Sequence, residues 1–158
     1  MTQRELISKY GNPMQDQASR HAFERLWMQI WMYPDVIRTN IPSLGKSIYI
    51  NKDFKPFYEK FLLELIRKGL AKEIKTNDEC FMPRYIRGYE KQKLLSKHTW
   101  GIAVDLNVLD NPLGMSREQA VAKGLKPFSK EFQQVARDCG LQCGYDFGRI
   151  DGMHFELP

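Results

Sequence analysis

Residues 96–107 read SKHTWGIAVDLN and residues 149–157 read RIDGMHFEL. Each stretch runs from a turn into a short apolar segment, and together they hold two of the chain's three histidines. Beyond Gly101 the first stretch alternates, so Ala103, Asp105 and Asn107 share one face of a strand while Ile102, Val104 and Leu106 share the other. In the second, the same period puts His154 and Glu156 on one face and Phe155 and Leu157 on the opposite one. If the two strands are neighbours, Asp105 and His154 meet.

Two imidazoles and one carboxylate, His98, His154 and Asp105, make a mixed nitrogen and oxygen donor set that leaves one position open for water. That is the ligand count of a catalytic zinc. A zinc hydrolase also needs a carboxylate that accepts a proton from the attacking water without binding the metal. Asp151, three residues before His154, is the first candidate; Glu156, on the same strand face as His154, is the second. Hydrolysis of an amide develops an oxyanion, which a nearby cation stabilises. Arg84 and Arg87, in the segment PRYIRG upstream of His98, are the available donors, with Arg84 preferred.

Working outward, residues 2–10 read as a short helix stopped by Gly11-Asn12-Pro13. Residues 17–33 read as a second helix, whose large side chains fall at spacings of three and four and belong to a core. Residues 47–51 (SIYIN) read as a strand, and 53–68 as an amphipathic helix with Gly69 after its last turn. LAKEIKT (70–76) reads as a strand entering a polar turn at 77–79, and 80–95 as a loop. Residues 102–108 and 152–157 are strands, with a helix at 130–139 between them. The fold class is α+β, with a small, mostly antiparallel sheet and flanking helices.

The chain has 158 residues, 42% hydrophobic and 27% charged, and fits one domain: a helical N-terminal part at 1–45 and a catalytic core at 46–158. Its formal charge of +5 suits a polyanionic surface. The basic residues are scattered rather than gathered with aromatics on one element, which argues against a nucleic-acid binder. The apolar run at 26–33 is too short to span a bilayer, and the N-terminus carries no export signal, so the chain is expected to be made in the cytoplasm without membrane insertion. Three cysteines, Cys80, Cys139 and Cys143, imply no disulfide framework, and Cys139 and Cys143 are expected to pack in the core. His21 reads as an ordinary helix residue.

The pattern Ser96-x-His98-x-x-Gly101-x-Ala103-x-Asp105, followed by Asp151-x-x-His154, resembles the D-alanyl-D-alanine carboxypeptidase and L-alanyl-D-glutamate endopeptidase family of zinc peptidases, the VanY-like peptidase family M15, which includes phage endolysins. The resemblance covers roughly residues 80–158, through FMPRYIRG, LLSKHTWGIAVDLN, NPLG (111–114) and CGYDFGRIDGMHFEL, and more loosely 46–79. It implies a Hedgehog/DD-peptidase fold, one zinc ion on His98, Asp105 and His154, Asp151 as general base, and Arg84 or Arg87 beside the substrate carbonyl. It further implies that Ser96 supports the ligand loop and that the substrate is a peptidoglycan stem peptide.

Relatives often carry tryptophans and a glycine pair where this chain has Gly144-Tyr145-Asp146-Phe147-Gly148, and many carry Glu in place of Asp151. The shorter carboxylate resembles the endopeptidase and endolysin members. The expectation is a monomeric endolysin-type endopeptidase that reaches the cell wall after phage-mediated release. The alternatives are a D-alanyl-D-alanine carboxypeptidase and a non-catalytic zinc-containing wall-binding module.

Overall fold

The computed structural model describes residues 1–158, and its elements follow one another in short segments. In chain order they are α1 (Gln3–Tyr10), α2 (Gln17–Trp27), β1 (Met28–Met32), α3 (Asp35–Asn40), β2 (Ser47–Asn51), α4 (Lys55–Arg67), β3 (Asn77–Glu79), β4 (Ala103–Leu106), α5 (Arg117–Ala122), α6 (Lys130–Asp138), β5 (Gln142–Cys143) and β6 (His154–Glu156). The class is α+β, as the sequence indicates. Two antiparallel sheets form: a pair of β1 with β2, and a four-stranded sheet in the order β3-β4-β6-β5.

The four-stranded sheet has one apolar and one polar face, as the period-two alternation requires. Phe155 lies across from Val104 on the apolar face and packs in an aromatic group with Phe61 of α4, Phe132 of α6 and Phe128. These rings belong to one continuous core of 32 buried residues that reaches from Leu6 to Leu157. The opposite face carries Asp105 and Glu156, and the central pair β4 and β6 supplies it. The core thus supports the polar face from behind.

Four of the six α-helices start where the sequence supplies a side-chain cap. Thr2 and Glu5 close a capping box on α1, and the Ser129 hydroxyl accepts from Phe132 N at the start of α6. α1 is tied down at both ends. Tyr10 donates to Asp53 at 2.7 Å, and the Gln3 amide donates to Lys93 O and accepts from Leu95 N.

Two expectations are corrected. The helix read over 17–33 ends at Trp27, and Met28–Met32 is a strand paired with Ser47–Asn51. An apolar run flanked by aromatics suits either period. The hydrogen bonds offered by the SIYIN strand decide the matter, and Ile30 and Met32 end up exposed rather than in the core. This pairing also crosses the boundary placed at residue 45. The strand read at 70–76 is a 3₁₀ turn at Ala71–Glu73 followed by extended chain, and the strand itself is the polar Asn77–Glu79. The reason lies in Asn107, whose side chain accepts from Lys75 N and Thr76 N and donates to Glu73 O. It satisfies that backbone in place of a ladder. α3, α5 and β5 add short elements that carry little periodic signal.

Candidate metal centre

His98 sits in a 3₁₀ turn, Lys97–Trp100, whose first residue pair is capped by the Ser96 hydroxyl accepting from His98 N at 3.3 Å. Gly101 ends the turn in the left-handed region at φ 63°, and a Cβ there would lie 2.7 Å from the Met28 side chain. The positive φ is what favours glycine, since the flexible end of the Met28 side chain can move aside. Three parts of the chain then hold the turn in place. Asn51 donates to Trp100 O at 2.9 Å, the fully buried Trp100 donates from its indole to Gly11 O at 2.9 Å, and the Thr99 hydroxyl exchanges hydrogen bonds with the Arg84 backbone.

Asp105 and His154 are register partners across β4 and β6. The pairing inferred from alternation is the one observed. His154 Nδ1 lies 3.0 Å from Asp105 Oδ1, and His98 Nε2 lies 3.1 Å from the same oxygen. The three ligand atoms fall within 4.8 Å of one another and all three residues are buried. The Nδ1–H of His98 donates to Cys80 O at 2.8 Å, which fixes the tautomer and leaves Nε2 as an acceptor. That nitrogen is buried without a hydrogen-bond partner, since an unprotonated Nε2 cannot donate to the Asp105 oxygen 3.1 Å away. An orphaned imidazole nitrogen aimed at a carboxylate and a second imidazole is the arrangement a divalent cation would satisfy. The N/O donor set suits zinc.

The charged groups of the cluster act strongly on one another. Burial alone would raise the Asp105 carboxyl, but its close contacts with His154 and His98 outweigh it and hold it well below the usual carboxylate range. Burial alone would lower His154, yet Asp105 and Glu156 push it up to about 10. Asp151 behaves differently. Its carboxyl is raised, mainly by burial and further by the Asp105 charge, although His154, His98 and Arg149 oppose the shift. Asp151 Oδ2 lies 4.0 Å from His154 Nδ1, and its Oδ1 is buried without a partner.

The two carboxylates left open by sequence occupy different environments. Glu156 Oε2 accepts from His154 Nε2 at 2.7 Å and Oε1 pairs with Lys97 at 2.8 Å, so both oxygens are engaged. Asp151 keeps an oxygen free. Residues of these segments line one cleft of about 560 Å³, which also takes in Arg84, Arg87, Tyr89, Phe147 and Arg149. Within it Arg84 is held by Glu79, with Nη2 and Nε at 2.9 and 3.1 Å from one carboxylate oxygen. Arg87 is exposed on the rim.

Sequence reasoning did not pick out Lys97, the carbonyl of Cys80 or Arg149, whose guanidinium stands 5.4 Å over the Tyr89 ring. Lys97 and Arg149 lie within two residues of His98 and Asp151, which was their only signal, and the Cys80 carbonyl had none. Cys80, Cys139 and Cys143 are buried free thiols, in keeping with core packing, and His21 is an exposed helix residue.

The buried His-Asp-His cluster lies in a cleft, on the two central strands and the turn that precedes them, and is a group that could hold a divalent metal where a substrate can reach it. Residues 90–157 match the family model described as D-alanyl-D-alanine carboxypeptidase. The matched segment contains His98, Asp105, Asp151 and His154. No curated protein and no solved structure matches the chain. No helix is long and apolar enough to cross a membrane.

Proposed function

We propose that this protein is a zinc-dependent peptidase that hydrolyses a peptide bond in the stem peptides of peptidoglycan. The observation that carries the reading is the meeting of His98 Nε2, Asp105 Oδ1 and His154 Nδ1 beside a carboxylate, Asp151, whose Oδ1 has no partner of its own. His98, Asp105 and His154 would hold the ion. Bound there, zinc supplies Lewis acidity that makes water ionise near neutral pH and polarises a carbonyl.

The chain's own residues account for the rest. Asp151, raised by burial, is suited to accept the proton of the attacking water and pass it to the leaving amine. Arg84, fixed by Glu79, presents a positioned cation along the cleft wall for the oxyanion, and Arg87 offers a second on the rim. The Cys80 carbonyl keeps His98 in its tautomer. The net charge of +5 helps the protein gather on anionic wall polymer.

Two cleavage modes divide the family reading. An L-alanyl-D-glutamate-type endopeptidase, the role of a phage endolysin, is supported by an aspartate rather than a glutamate at residue 151. A D-alanyl-D-alanine carboxypeptidase is supported by the description of the matched family. Digestion of purified peptidoglycan with the zinc-loaded protein, followed by mass spectrometry of the products, tests both. New peptide termini within the stem identify the endopeptidase, and release of free D-alanine alone identifies the carboxypeptidase. Zinc uptake and wall binding with neither product would overturn the peptidase reading in favour of a non-catalytic module.

A further inference from the structure

Lys97 and Glu156 form a buried ion pair that the hydrolytic reading does not use. Their side chains are 15% and 11% exposed, and Nζ lies 2.8 Å from Oε1. The same ammonium donates to Leu157 O at 2.7 Å. Lys97 immediately precedes His98, while Glu156 lies two residues beyond His154 on the same strand face. One cation therefore joins the turn that carries the first imidazole to the strand that carries the second. The remaining oxygen of Glu156 accepts from His154 Nε2 at 2.7 Å.

An imidazole can offer only one unprotonated nitrogen when the other carries hydrogen, and the acceptor bound at one side decides which side is free. At His154 the Nε2 side is committed to Glu156, and Nδ1 is the atom that faces Asp105 and His98. His98 has the mirror arrangement, with Nδ1 committed to a backbone carbonyl and Nε2 facing inward. The two rings need opposite tautomers. The backbone supplies one acceptor and a side chain must supply the other.

We propose that Glu156, clamped by Lys97, is a positioning residue of the metal centre: it keeps the proton of His154 on Nε2 and so presents Nδ1 to the ion. This rests on the reading of His98, Asp105 and His154 as zinc ligands. The alternatives for Glu156 are poorer. As general base it would have to break contacts on both oxygens. As a purely structural ion pair it would not need the short contact to an inward-facing imidazole.

The test uses the full chain, stripped by chelator and titrated with zinc against a chromophoric competitor, with cobalt(II) absorption as a second readout of ligand geometry. Glu156→Ala should bind zinc roughly 10- to 100-fold more weakly than the wild type and give an altered cobalt spectrum. Glu156→Gln, whose amide oxygen still accepts from Nε2–H, should recover most of the affinity and the wild-type spectrum. Lys97→Met, which leaves Glu156 unclamped, should weaken binding several-fold.

If Glu156→Ala does not fold, the comparison passes to Lys97→Met and Glu156→Gln. Wild-type affinity in Lys97→Met, or a Glu156→Gln protein with the cobalt spectrum lost, then overturns the proposal. Zinc affinity in a folded Glu156→Ala protein within twofold of the wild type overturns it directly. A wild-type chain that takes up no zinc overturns the metal reading itself.

Discussion

The carbonyl oxygen of Asp151 occupies the space a side chain at residue 144 would need, so Gly144 and Asp151 pack backbone against backbone. Asp151 N donates to Gly144 O at 2.9 Å, and Asp151 O accepts from His154 N at 3.0 Å. One glycine thus sets the position of both the candidate base and the loop that leads to a candidate ligand. Gly144→Ala should displace the Asp151 segment at a cost of about 1–3 kcal/mol, the usual range for overpacking. A fall in Tm of several degrees together with loss of hydrolysis is expected; unchanged activity would show that the Asp151 backbone need not be held here.

Asp151 and the ligands should separate under mutation. Asp151→Asn is expected to bind zinc as the wild type does while hydrolysis falls roughly 100- to 10,000-fold, the contribution typical of a positioned general base. His98→Ala and Asp105→Ala should lose the metal as well as the activity. Inductively coupled plasma analysis alongside a peptidoglycan assay distinguishes the two patterns. Full turnover by Asp151→Asn would remove it from the mechanism.

Zinc should also stabilise the fold, since its donors come from a turn and two strands brought together only in the native state. At a free concentration about 100 times Kd, the gain is about 2.7 kcal/mol. The stripped wild type should therefore show a rise in Tm on zinc addition that Asp105→Ala lacks. Equal shifts in both proteins would place the ion elsewhere.

How far this was readable from sequence follows from which interactions are periodic and which are not. The Asp105 and His154 pairing was legible because each strand declares its faces by alternation and the sheet then needs only adjacency. α4 and α6 were legible from their apolar periods. Met28–Met32 was not, because its partner is remote in sequence and its composition serves helix and strand alike. Asn77–Glu79 was invisible because a three-residue polar strand owes its form to β4 and to the Asn107 side chain. Lys97 and Arg149 were missed for the same reason: a cation's role depends on what the fold places beside it.

The anchor of α1 has a pH signature. Asp53 accepts from Tyr10 and pairs with Lys9 at 2.9 Å. Partial burial raises its carboxyl, but the Tyr10 hydroxyl and the Lys9 ammonium outweigh this and leave its pKa lowered. A depressed carboxylate contributes stability that is present above its unfolded pKa, near 3.9, and is lost as pH falls through the folded value. The pair is part exposed, so the contribution is at most about 1 kcal/mol. Asp53→Asn should cost that much at neutral pH and nothing at strongly acidic pH, as denaturant titrations at the two conditions would show. A constant difference at both would mean that the carboxylate charge is irrelevant to the anchor.

The two arginines of the PRYIRG segment should part company in steady-state kinetics. Arg84 is tied to the site through its own backbone, which bonds Thr99 and accepts from Ser96 N, and through Glu79, which holds its guanidinium. A cation fixed before substrate arrives needs no reorganisation as the oxyanion forms, and removal of such a donor typically lowers kcat about 100-fold or more. Arg84→Gln should therefore reduce kcat with little change in KM. Arg87 has no comparable fixation on the exposed rim, and a mobile cation there contributes to substrate capture rather than to the transition state. Arg87→Gln should raise KM by a smaller factor and leave kcat near the wild-type value. The reverse pattern would transfer the oxyanion role to Arg87, and Arg84 would then serve only to hold Glu79 beside His98.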